Sequence, residues 1–218
     1  MHFFHPEVQR RIRQCMMYFG SGLGLTGIMV GAMRNSTLPF TVNPWLFLIG
    51  SIALLIGTQV TDIQFNPIIK HGLWLGFMGS MAFTLVPLIS MASMPIIYDA
   101  LFATGFTMAG LGLVAYNSPS EQFLQWGGAL GMALAGMLGI GIASLIWPNS
   151  PGLFSIWLYG GLLLFGAFVL FDTQKVIFNA KLKSQWDPIN ESLAIYMDAI
   201  ILFQRFLIIF MGRSQNKK

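Results

Sequence analysis

The sequence predicts an all-α membrane protein, a single bundle of about seven transmembrane helices, and three observations carry that reading. Of its 218 residues, 55% are hydrophobic and only 9% are charged, against roughly 25% charged in soluble domains. A soluble domain of this length could not cover so much apolar surface. The apolar residues also fall in long continuous runs, not in the short alternating segments of barrel strands. Finally, the runs approach the ~20 residues that cross ~30 Å of hydrocarbon as a helix. Without water the backbone must satisfy its own hydrogen bonds, so such runs become helices.

Residues 1–16 form a polar juxtamembrane segment. Its start, Met1-His2-Phe3-Phe4-His5-Pro6-Glu7, lacks the basic-then-apolar pattern of a secretory signal and does not read as a mitochondrial transit peptide. Arg10, Arg11 and Arg13 are the polar flank of the first span. The transmembrane domain covers residues 17–211, with spans at 17–33, 45–61, 72–92, 96–116, 123–147, 154–178 and 189–211. Asn35-Ser36-Thr37-Leu38-Pro39, Asn117-Ser118-Pro119-Ser120 and Pro148-Asn149-Ser150-Pro151-Gly152 punctuate the connections. Residues 212–218 are a basic C-terminal tail. No linker separates domains and no repeat unit is visible. A six-span arrangement with a re-entrant last segment is the alternative.

The formal net charge of +4 is spread over loops and termini, which fits a membrane interface and not nucleic acid. Arg10, Arg11, Arg13, Lys70, Lys181 and Lys183 gather on the N-terminal side, and Arg34, Arg213, Lys217 and Lys218 on the other. That bias puts the N-terminus on the cytoplasmic or matrix side. The single cysteine, Cys15, excludes an intrachain disulfide. Small residues at Gly127, Gly131, Ala135, Gly139 and Ala143 share one helix face, and Gly20, Gly24, Gly27 and Gly31 recur similarly in the first span. Helix packing within the bundle is the expected use of these faces, and homodimerisation the alternative.

Ionisable groups inside a membrane are costly and mark function. Two stand out: Asp172 in Leu170-Phe171-Asp172-Thr173-Gln174-Lys175 and Asp198 in Ile195-Tyr196-Met197-Asp198-Ala199-Ile200. The last two spans run antiparallel and share the membrane face at residues 179–187. Asp172 lies about seven residues (~10 Å) and Asp198 about ten (~15 Å) from that face, so the carboxylates can meet. Desolvation and mutual repulsion both oppose a second charge there, and the pair titrates as a unit. It can hold a proton or a hard cation such as calcium, in competition. Calcium takes six to eight oxygens, more than two carboxylates supply, so binding would be weak or transient.

Glu191, Asp198 and Arg205 are spaced by seven and share a face, which suits a helix at the bundle centre or along a water-filled path. Asp172, Lys175 and Asn179 share another. The supporting polar residues are therefore Lys175, Glu191 and Arg205. The competing structural reading has Lys175 neutralising Asp172 or snorkelling, and Arg205 serving Asp198. Asp62 and Asp99 read as solvated caps near interfaces, and His71 as a plain interface residue. His2, His5 and His71 lack zinc-ligand spacing.

No phosphate loop, G-x-S-x-G or H-E-x-x-H is present, so no enzyme activity and no cofactor are expected. Aspartyl intramembrane proteases also place one aspartate on each of two spans. Their second aspartate follows Gly-x-Gly, where this chain has Ile195-Tyr196-Met197.

The stretch Leu158-Tyr159-Gly160-Gly161 through Phe171-Asp172-Thr173-Gln174-Lys175-Val176-Ile177 resembles the signature of the transmembrane Bax inhibitor motif family. Asp187-Pro188-Ile189-Asn190, Ile195-Tyr196-Met197-Asp198, Ser118-Pro119-Ser120-Glu121-Gln122-Phe123-Leu124 and the Lys217-Lys218 ending resemble a mitochondrial branch of it. The resemblance implies seven spans with the last helix central. It implies a pH-sensitive calcium leak or calcium/proton exchange with Asp172 and Asp198 as sensor and ion site. It also implies the mitochondrial inner membrane, a role in cristae organisation and restraint of apoptosis. That branch carries a long N-terminal targeting region, which this chain does not show. Some members carry an arginine near the end of the second span that can pair with the aspartates. Here the place reads Val60-Thr61-Asp62, which leaves that latch without its residue. The expected partners are the bilayer, calcium and protons, with a homo-oligomer or membrane proteins as further candidates. A non-transporting scaffold is the second reading and a protease the third.

Overall fold

The computed structural model describes residues 5–119 and 121–215. His2, Ser120 and the Lys217-Lys218 ending lie outside the described residues. Among those residues seven long helices and no strand are found: α1 (Pro6–Met33), α2 (Pro44–Val60), α3 (Pro67–Ser90), α4 (Met94–Asn117), α5 (Gly127–Ile146), α6 (Gly161–Leu182) and α7 (Pro188–Gln215). Six helical stretches are long and apolar enough to cross a membrane. The seventh, α2, has 17 residues, at the lower limit for a span. The short helix is thus the second and not the last, and α7 runs a full 28 residues. The last helix is thus continuous and long enough to cross the membrane.

The helices outrun the apolar segments. The segment expected to be merely juxtamembrane is already helical from Pro6. Proline fits the first turn, where its missing N–H costs nothing. Glu7 meets the positive end of the helix, and Arg11 closes an i,i+4 pair with it at 2.9 Å. The sixth span likewise begins early, as Pro151–Ser155 and a π turn at Ile156–Gly160 that feed α6.

The chain forms two compact units, Met1–Ser93 with Lys183–Tyr196 and Met94–Leu182 with Met197–Lys218. In the first, α1 and α2 each pack on α3. Cys15 and Val30 of α1, Trp74, Phe77, Met78 and Val86 of α3, and Ile189, Leu193 and Tyr196 of α7 form its core. Thr26 and Tyr196 share a hydrogen bond of 2.7 Å inside it. The glycine face expected to pack α1 is open: a side-chain carbon at Gly20, Gly24, Gly27 or Gly31 would meet nothing within 4 Å. The packed glycine is Gly22, where such a carbon would stand 3.1 Å from Met78 Sδ and 3.3 Å from Tyr196. Gly22→Leu is expected to lower stability by about 1–3 kcal/mol through overpacking, and Gly20→Leu not at all. Equal thermal unfolding of the two variants in detergent would contradict this packing.

In the second unit α4 and α5 both pack on α6, around Phe165, Val169 and Leu202. The small-residue ladder of α5 does not serve this packing as expected. Of its glycines only Gly127 is engaged, with Phe171 3.0 Å from a carbon placed there, while Gly131 and Gly139 face open space. By burial α7 is the most enclosed span and α5 the least.

Candidate functional site

The second unit brings the two predicted carboxylates together. The turn joining α6 to α7 is five residues long, 183–187, so the helices reverse direction. Asp172 stands ten residues before the end of α6 at Leu182, and Asp198 ten residues after the start of α7 at Pro188. Both therefore lie ~15 Å along their helices, closer in depth than the apolar runs alone suggested, because α6 continues past Phe178. Asp172 is 7% exposed and Asp198 3%. The two carboxyl groups lie close enough to interact directly. Asp198 Oδ2 finds no hydrogen-bond partner among the described residues, although buried polar atoms are normally satisfied.

No group of three or more His, Cys, Asp or Glu side chains converges among the described residues. A hard cation at this pair would need carbonyl, hydroxyl or water oxygens to complete its shell.

The supporting residues part company. Lys175 is exposed, with Nζ over the Phe171 ring at 5.7 Å. Glu191 is buried in the first unit and ion-paired to Lys183; the Lys183 carbonyl in turn accepts from Arg11 at 2.6 Å. Arg205 does not serve Asp198. It donates to the Trp157 and Leu158 carbonyls and stacks over the rings of Trp157 and Phe165. Asp62 caps the turn after α2, accepting from Gln64 N–H at 2.7 Å, and Asp99 is exposed on α4. His71 is more than an interface residue. Its Nε2 bonds Tyr18 Oη at 2.8 Å and its Nδ1 the Pro67 carbonyl at 2.7 Å.

Two polar residues were missed. Lys70, read as an interface cation, is completely buried in the first unit. Its Nζ reaches Asp187 Oδ2 at 2.5 Å, the Thr58 and Thr61 carbonyls at 2.8 and 2.7 Å, and Asn190 Oδ1 at 2.9 Å. The signal was its register: positions 70, 74 and 77 share one helix face, and Trp74 and Phe77 are core. Gln174, within the signature stretch, accepts from Phe123 N–H at 2.7 Å and donates to the Pro119 and Ala115 carbonyls at 3.0 and 3.4 Å. It holds the connection between α4 and α5 against the helix that carries Asp172.

Residues 8–216 match the family described as inhibitor of apoptosis-promoting Bax1. The chain is 32% identical to the growth hormone-inducible transmembrane protein of Rattus norvegicus over 97% of its own length and 65% of that protein's. It is 27% identical to Bax inhibitor 1 of Mus musculus over 98% of this chain and 90% of the relative. With Bax inhibitor 1 of Oryza sativa subsp. japonica it shares 26% identity over 97% and 84%. The chain thus spans just under two thirds of the rat growth hormone-inducible protein.

Proposed function

This chain is an integral multi-pass membrane protein that belongs to the Bax inhibitor family, and from that premise we propose that it passes calcium across the membrane in exchange or competition with protons, through Asp172 and Asp198. The observation that carries the reading is the pair of buried carboxyl groups, close enough to interact, with an Asp198 oxygen that finds no hydrogen-bond partner among the described residues. A proton on the pair leaves one negative charge. Its loss leaves two, which attract a divalent cation and repel each other until one arrives. Raising the pH on the side that feeds the pair therefore favours calcium entry, and lowering it returns the proton and expels the cation. Two carboxylates without further acidic ligands suit brief occupancy, which transport requires.

The proposal extends to the mitochondrial inner membrane, cristae organisation and restraint of cell death, which the resemblance to the mitochondrial branch of the family supports. Under this reading those roles follow from calcium handling.

The test is calcium flux into proteoliposomes across a pH gradient. Wild type should carry pH-dependent flux, and Asp198→Asn or Asp172→Asn should reduce it at least about tenfold, the effect of ~1.4 kcal/mol. If folded, inserted wild type and both variants carry equal flux, or none carries any, the transport reading fails. The second reading, a scaffold, draws on the open face at Gly131 and Gly139 of α5, where a partner helix could approach closely. It is favoured if Gly131→Leu disrupts assembly while both aspartate variants behave as wild type. Appearance of a cleavage product lost in either variant would instead favour a protease.

A further inference from the structure

Arg205 is a buried charge that the carboxylate pair does not account for. It stands on α7 seven residues beyond Asp198, two turns or ~10 Å along the helix, and is 4% exposed. Its acceptors are neutral. The guanidinium donates to the carbonyl of Trp157 and, at 3.4 Å, to that of Leu158, both in the π turn Ile156–Gly160. There the hydrogen-bond ladder changes register before α6, and carbonyls become available to a side chain. The ring of Trp157 lies 4.5 Å from the guanidinium carbon and that of Phe165 lies 5.5 Å away. Gly161 makes the seat: a side-chain carbon there would collide with the guanidinium. Arg205 Nε finds no acceptor among the described residues.

Carbonyls and aromatic faces hold an arginine in place without cancelling its charge. The Leu158-Tyr159-Gly160-Gly161 stretch thus builds a cradle whose product is a fixed positive charge, on the helix that carries Asp198 and in the same compact unit. Among the described residues, Asp172, Asp198 and Arg205 are the buried ionisable side chains of that unit. A cation leaving the carboxylates along α7 toward its C-terminus would approach Arg205 at close range in a poorly screened setting. The repulsion grows in proportion to the cation's charge.

We infer that Arg205, seated on the π turn by Gly161, is an electrostatic barrier that limits cation passage beyond the Asp172–Asp198 pair and opposes divalent cations more than monovalent ones. This inference rests on the proposed movement of cations past that pair.

The test uses the full chain in proteoliposomes at one fixed pH, with calcium and potassium flux measured separately. Asp198→Asn serves as the control for the transport reading. R205Q removes the charge and keeps donors for the carbonyls. It is expected to raise calcium flux about tenfold and potassium flux by about the square root of that, since the repulsion doubles with charge. R205K returns the charge and should restore the wild-type ratio. G161A keeps the arginine and displaces it, so it should move the ratio in the direction of R205Q, and it covers the case in which R205Q does not fold. Equal changes in R205Q and R205K, or an unchanged calcium-to-potassium ratio in both R205Q and G161A, would overturn the barrier while leaving transport intact. Absence of any flux dependent on Asp198, in wild type and R205Q alike, would overturn the transport reading and the barrier together.

Discussion

Lys70→Met is expected to cost the protein about 3 kcal/mol, because removing one partner of a buried ion pair strands the other at a typical cost of 3–5 kcal/mol. The side chain of Lys70 is fully buried and that of Asp187 is 21% exposed, so water relieves part of the penalty and the lower end applies. Methionine fills nearly the same space, and the loss is therefore one of charge and donors. Asp187 Oδ2 loses its ion-pair partner, and three oxygens lose their donor: Asn190 Oδ1 and the carbonyls of Thr58 and Thr61. The last two belong to the end of α2 and its following turn, where helix carbonyls lack intrahelical partners, so Lys70 serves as a C-terminal cap from another helix. Asp187 keeps its second role, accepting from the Ile189 and Asn190 N–H groups at the start of α7. Adding Asp187→Asn to Lys70→Met should therefore recover part of the loss by removing the stranded charge. A double-mutant cycle from thermal unfolding in detergent measures that coupling. Strict additivity would show that the pair is not coupled, and a Lys70→Met variant as stable as wild type would show that the ammonium contributes nothing.

Gln174→Leu is expected to cost about 2–3 kcal/mol, by leaving the buried Phe123 N–H without an acceptor and the Pro119 and Ala115 carbonyls without their glutamine donor. Only the amide supplies an acceptor and a donor together. Gln174→Glu should fall between the two, since its oxygen still accepts from Phe123 while its other oxygen faces carbonyls that need a donor. The local readout is hydrogen exchange at the Phe123 amide, bonded at 2.7 Å in wild type. Faster exchange there in Gln174→Leu, with exchange inside α7 unchanged, would place the loss in the α4–α5 connection. Unchanged protection at Phe123 would refute the assignment.

The residues most readily found from sequence were those that contradict their surroundings. Asp172 and Asp198 each interrupt an apolar run, and antiparallel helices joined by a short turn bring matching depths together. Helix ends were misplaced because the apolar run marks hydrocarbon and not hydrogen bonding. Pro6 and Glu7 start α1 as polar residues, and Pro151 starts the sixth span ahead of its apolar stretch. The glycine faces were misjudged for a related reason. Spacing shows that Gly131 and Gly139 share a face, but whether another helix lies against it is not a property of that helix.

Composition and periodicity by themselves determined that this chain crosses the membrane repeatedly as helices, and singled out two carboxylates that the fold buries. Both follow from local rules, because hydrocarbon penalises every unpaired backbone group and every charge wherever it occurs along the chain. Tertiary structure alone decided what each buried polar group bonds. Lys70 meets Asn190 across 120 positions, Gln174 meets Phe123 across 51, and Arg205 finds the Leu158 carbonyl across 47. A hydrogen bond is satisfied only within about 3 Å and in the right direction, and sequence distance carries no record of which donors the fold brings that close.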